Sequence, residues 1–94
     1  MDDEIRMTND ESSTLDWALK NVDSEDRLIK EFKFDDFKQA MVFADKVGDL
    51  AEANNHHPLM HVTWGRVAVE WWSHDAGGVT ERDREMAAKT DELA

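Results

Sequence analysis

HHPLMHVTWGRVAVEWWSH, residues 56–74, is the stretch that decides the fold. Pro58 pushes the residue before it out of the α region, so a helix running into Asn54 and Asn55 must stop there, leaving His56 and His57 in a turn. Beyond Pro58, Met60, Val62 and Trp64 alternate with Leu59, His61 and Thr63. Gly65-Arg66 then leads into Val67, Val69 and Trp71, which alternate with Ala68, Glu70 and Trp72. A period of two on both sides of a glycine predicts a hairpin of half-buried strands, ending at His74.

Working upstream, Asp35 or Asp36 can cap a helix in which Phe37, Met41, Ala44, Val47 and Ala51 recur at spacings of three and four. Ala40, Phe43 and Leu50 widen that apolar face. Such a face suits a helix packed on its own sheet along one edge and on another subunit along the other, or simply a well-buried helix. Before it, Leu15, Trp17 and Leu19 alternate with polar or small residues. The polar stretch Asp23–Asp26 then precedes Leu28, Ile29, Phe32 and Phe34, giving a first hairpin.

Downstream, Asp75-Ala-Gly-Gly78 breaks the strand pattern, and Thr80-Glu-Arg-Asp83 has the spacing of a capping box ahead of Met86, Ala87, Thr90 and Leu93. The order is strand, strand, helix, strand, strand, helix. It predicts an α+β fold, a four-stranded antiparallel sheet with helices packed on one face. Residues 1–14 are acidic and polar and read as a frayed terminus with room for a short helix, while 15–94 form a single domain.

With 22 acidic residues against 11 Lys and Arg, the formal charge is −11, and the mean field repels nucleic-acid phosphates. Direct nucleic-acid binding is not expected. The acidic residues are spread along the chain, as on a solvated surface that a high-salt cytoplasm would screen. There is no cysteine, no apolar run long enough for a membrane, and no basic-then-apolar start of a signal peptide. A cytoplasmic protein without disulfides is the expectation.

All four histidines fall between positions 56 and 74. His57-x3-His61 would suit a metal ion only on a helix, and Pro58 with the strand pattern after it removes that helix. No metal and no cofactor are expected. Imidazole, with a reference pKa of about 6.5, can instead give or take a proton near neutral pH, which points to general acid-base chemistry. Glu52 lies one helical turn before His56, close enough to orient an imidazole. Serine and cysteine nucleophiles find no suitable sequence, and Gly77-Gly78 lacks the spacing of a phosphate-binding loop. Trp71 reads as core. Trp17, Trp64 and Trp72 each lie on a strand, and alternation does not say which of them lines a pocket. Asp83 is explained by its capping box without any chemistry.

Glu52-x3-His56-His57-Pro58, followed after five residues by Trp64, after nine by His74 and after eight by Asp83, resembles the signature of the pterin-4a-carbinolamine dehydratases. The stretch Asp75–Asp83 looks like that family's glycine-containing loop and final helix start, and Trp17 with Phe32-x-Phe34-x2-Phe37 looks like its N-terminal half. The resemblance covers Leu15 to Leu93. It implies the same α+β fold, assembly as a homodimer or homotetramer, and dehydration of 4a-hydroxytetrahydropterin to quinonoid dihydropterin in the recycling of tetrahydropterin.

By the same resemblance, His56 and His74 are the acid-base residues, His57 binds the pterin and assists proton transfer, and Glu52 and Asp83 give polar support. Trp17, Pro58 and Trp64 become substrate contacts. His61 lies outside the signature and keeps only a place on a strand. Two other functions stay open: a non-catalytic dimerisation or interaction role, which the resemblance also implies, and action on a related pterin of molybdenum-cofactor metabolism.

Overall fold

The computed structural model describes residues 16–94. The acidic terminus, the short helix allowed for there and the strand position of Leu15 lie outside the described residues. The chain runs β1 (Ala18–Val22), β2 (Glu25–Lys33), α1 (Phe37–Asn54), β3 (Leu59–Thr63), β4 (Arg66–Trp71), a 3-10 turn (His74–Ala76) and α2 (Glu81–Leu93). The strands form one antiparallel sheet in the order β1-β2-β4-β3. Both helices cover one face of it, α1 against β3 and β4 and α2 against β2 and β4, as the alternation predicts. Among the described residues no helix is long and apolar enough to cross a membrane.

The polar stretch before β2 is a tighter turn than its four polar residues suggest. Asp23 (φ 52°) and Ser24 (φ 72°) alone make the reversal, and Val22 already pairs with Glu25. Positive φ at both central residues matches the right-handed twist of the flanking strands. At the second hairpin Gly65 has φ +72°, and a Cβ there would lie 3.0 Å from the Phe34 carbonyl oxygen. That same corner is tied by the Phe34 N–H donating to the Gly65 carbonyl at 2.8 Å. Gly65→Ala is therefore expected to cost about 1–2 kcal/mol, lowering Tm by roughly 5–10 °C in thermal denaturation.

The core lies between sheet and helices. Leu28 and Phe32 from β2, Val67, Val69 and Trp71 from β4, Ala40, Phe43, Ala44, Val47 and Ala51 from α1, and Met86 and Ala87 from α2 are all buried there. On α1 the buried stripe is displaced from the one first read. Phe37 and Met41, together with Val42, are about half exposed, while Ala40 and Phe43 hold the centre. Leu19, opposite Leu28 on the edge strand, is 56% exposed.

Candidate functional site

Each end of α1 is fixed by a residue that the sequence makes legible. Asp36 Oδ1 accepts from the Gln39 N–H at 2.8 Å, and Asn55 takes the left-handed conformation (φ 50°) that closes the helix. The His56 N–H donates back to the Ala51 carbonyl at 3.2 Å. This closure turns the chain sharply and sets His56 and His57 at the rim of the sheet. Arg82, in the first turn of α2, donates to the Asn54 and Asn55 carbonyls at 2.6 and 3.0 Å, joining the two helices where they meet.

A cavity of about 340 Å³ opens at this corner. The α1–β3 turn supplies Asn55, His56 and His57, the segment after β4 supplies Trp72, Ser73, His74 and Asp75, and α2 supplies Arg82. Its size is within the range of small-molecule sites. Behind it, Ser73 and Gly78 exchange backbone hydrogen bonds (2.8 and 3.2 Å), so the loop carrying His74 is closed on itself.

Each of the three histidines in this cavity meets its own carboxylate. His56 Nε2 lies 2.6 Å from Asp83 Oδ1, His57 Nε2 lies 2.6 Å from Glu52 Oε2, and His74 Nδ1 lies 2.9 Å from Glu25 Oε2. A carboxylate hydrogen-bonded to one ring nitrogen orients the imidazole, as at His56 and His57. The other ring nitrogen is then left for a ligand: Nδ1 of His56 and His57, Nε2 of His74.

The three pairs differ in rigidity. Asp83 is fully buried, and its Oδ2 accepts from the Ser73 hydroxyl (2.8 Å), the Thr80 N–H (2.8 Å) and the Thr80 hydroxyl (3.0 Å). One carboxylate thus caps α2 through Oδ2 and meets the His56 ring through Oδ1. The ring of His56 stacks on buried Trp71 at 5.6 Å between centroids and 25° between planes. Trp71 is itself pinned, its indole N–H donating to Thr90 Oγ1 at 3.1 Å. In contrast, the side chains of His57 and Glu52 are 55% and 79% exposed.

Several expected site residues are placed differently. Glu52 pairs with His57, not His56, because the Asn55 closure carries His56 away toward Asp83. Trp17 is a core residue away from the cavity, edge-on to Phe32 at 5.9 Å with its indole N–H 3.2 Å from Asp91 Oδ2. Trp64, expected on a strand, instead sits in the β3–β4 turn, where it is 74% exposed. Pro58 is half-buried and begins the approach to β3 without lining the cavity. Trp72, the third of the tryptophans left open, is the one that lines it.

Glu25 has no local signal at all. Its place follows from the β2–β4 register, which, continued past the Leu28–Trp71 pair, sets Glu25 opposite His74. Among the described residues no three His, Asp or Glu side chains are grouped to hold a metal ion.

The family model of pterin 4 alpha carbinolamine dehydratase matches residues 2–93. The chain belongs to that family. The match begins upstream of Leu15 and so takes in the acidic segment that the signature left outside. Among the relatives of this dehydratase family member are proteins provisionally named pterin-4-alpha-carbinolamine dehydratase. That of Chlorobium luteolum is 46% identical over 83% of this chain and 68% of its own length. That of Marinobacter nauticus is 43% identical over 97% of this chain and 86% of its own.

A solved structure described as a transcriptional coactivator/pterin dehydratase from Brucella melitensis superposes with a TM-score of 0.77. It is 33% identical and covers 98% of this chain and 96% of its own. A pterin dehydratase-like protein described as a RuBisCO assembly factor in the alpha-carboxysome shares the fold, with a TM-score of 0.67 at 24% identity, over 82% of this chain and 89% of its own.

Proposed function

We propose that this cytoplasmic protein removes water from 4a-hydroxytetrahydropterin, giving quinonoid dihydropterin for tetrahydropterin recycling, with His56 and His74 as the acid-base pair. The observation that carries the reading is three imidazoles, each backed by a carboxylate, around one cavity. The reaction needs two proton transfers. One imidazolium gives its proton to the 4a-hydroxyl, the C4a–O bond breaks and water departs. A neutral imidazole takes a proton from a ring nitrogen, whose electron pair forms the C=N bond to C4a.

His56, held by the buried Asp83, and His74, 84% exposed on the loop closed by the Ser73–Gly78 pairing, take those two roles by the family resemblance. His57 binds the ring and assists the transfer, with Glu52 behind it. A surface pair of this exposure contributes under about 1 kcal/mol, so Glu52→Gln is expected to lower kcat/KM by less than about fivefold in steady-state assays.

A second reading, as an interaction protein, is favoured by the description of the Brucella melitensis structure as a coactivator as well as a dehydratase. The half-exposed Phe37, Met41 and Val42 on α1 would in either case suit a second copy of the chain, as a homodimer or homotetramer. A dehydration assay on purified protein with 4a-hydroxytetrahydropterin and with molybdenum-cofactor pterins separates these readings. Acceleration of quinonoid dihydropterin formation over the spontaneous rate supports the proposal. Selective action on another pterin, or none, would replace it.

A further inference from the structure

We infer that Arg27, on the helix-free face of the sheet, is a positioning residue that holds Trp72 as the wall of the cavity and thereby sets affinity for the planar ring. The inference rests on the dehydratase reading of the cavity.

Arg27 stands opposite Trp72, one step past the Leu28–Trp71 pair of β2 and β4. Its guanidinium carbon lies 3.8 Å from the Trp72 ring centroid, within the range of a cation–π contact. Nη1 donates to Glu70 Oε1 at 2.8 Å, and both side chains are only 12% exposed. The second oxygen of Glu70 lies 3.1 Å from His61 Nε2. His61, the histidine outside the family signature, thus closes a row that runs across β3, β4 and β2 to the wall of the cavity.

The two buried tryptophans show why the half-buried Trp72 needs such a support. Trp71 and Trp17 have their indole N–H groups fixed by Thr90 and Asp91. The Trp72 indole N–H and the Arg27 Nε–H are enclosed with no acceptor among the described residues. Among the described residues no hydrogen bond sets the Trp72 rotamer, so its orientation depends on the stacked guanidinium. Glu70 anchors that guanidinium through one charge-assisted hydrogen bond to Nη1. Because Arg27 acts through Trp72 and not on a histidine, its loss should weaken binding and leave the proton transfers in place.

The test compares Arg27→Ala and Arg27→Lys with the parent. In ligand-free protein, ¹⁵N–¹H spectra read the Trp72 indole, assigned through Trp72→Phe. With substrate, steady-state kinetics separate KM from kcat. Arg27→Ala is expected to shift the Trp72 indole signal while those of Trp17 and Trp71 stay, and to raise KM about tenfold with kcat changed less than about twofold. Arg27→Lys, which keeps a cation over the ring, should recover part of the KM and serves as the assay variant if Arg27→Ala does not fold. An unmoved Trp72 signal, or an unchanged KM in folded Arg27→Ala, would overturn the inference. A parent protein that neither binds nor dehydrates 4a-hydroxytetrahydropterin would instead sink the dehydratase reading and with it the KM effect, while the indole shift still decides whether Arg27 holds Trp72.

Discussion

His56→Ala is expected to lower kcat for dehydration of 4a-hydroxytetrahydropterin about 100- to 1,000-fold, and His74→Ala to do much the same. A positioned general acid or base contributes on that scale, and in the proposed mechanism each change removes one of two proton transfers. The double variant should be little slower than the worse single one, because residues that act as a unit are far from additive. His56→Ala also strips the Trp71 ring of its stacked neighbour and leaves the buried Asp83 carboxylate without its imidazole, so some loss of stability accompanies it. His56→Gln separates the two effects. Its amide can still donate to Asp83, whereas it cannot exchange a proton at neutral pH. A folded His56→Gln variant with near-parent kcat in stopped-flow assays would remove His56 from the chemistry.

Asp83→Ala should give the largest loss of stability among the site residues, about 3 kcal/mol, or roughly 12–20 °C in Tm. The carboxylate is fully buried, and its removal orphans the Thr80 N–H, the Ser73 and Thr80 hydroxyls and the ring nitrogen of His56 in one step. Unsatisfied buried donors cost about 1–3 kcal/mol each, and partial relaxation keeps the total below their sum. Activity should fall with stability, since the same oxygen pair starts α2 and aims His56. Calorimetry on Asp83→Ala checks the first effect. A Tm within a few degrees of the parent would mean that the network carries little of the fold.

The fold and the site differ in how far local sequence reaches. Pro58 and Asn55 announce the end of α1, and the period of two around Gly65 announces β3 and β4, because both signals lie within a few residues of what they determine. The exposure of Phe37 and Met41 was not readable in this way. A helix face eight apolar residues wide does not say which part meets the sheet, and that depends on where α2 docks.

The same limit divides the site. The motif residues His56, His57 and His74 converge at the cavity because two local features, a helix closure and a strand end, are brought together by the β3–β4 hairpin and the Ser73–Gly78 loop. Their partners were less legible. Spacing along an ideal helix favours Glu52 with His56, but the left-handed Asn55 breaks that helix before His56 is reached, and His57 takes its place. Glu25 and Arg27 depend on the pairing of β2 with β4, strands separated by α1 and β3, for which alternation fixes a face and not a register. Trp17, Trp64 and Trp72 alternate alike in sequence, and only the finished sheet sends the first to the core, the second to solvent and the third to the cavity.

The rate of quinonoid dihydropterin formation from 4a-hydroxytetrahydropterin, followed by stopped-flow absorbance with the parent protein and with a folded His56→Gln, His57→Gln, His74→Gln triple variant, tests the account most directly. The parent should accelerate the reaction well above its spontaneous rate, with the triple variant at that spontaneous rate. Equal acceleration by both proteins would contradict the assignment of the chemistry to the histidines.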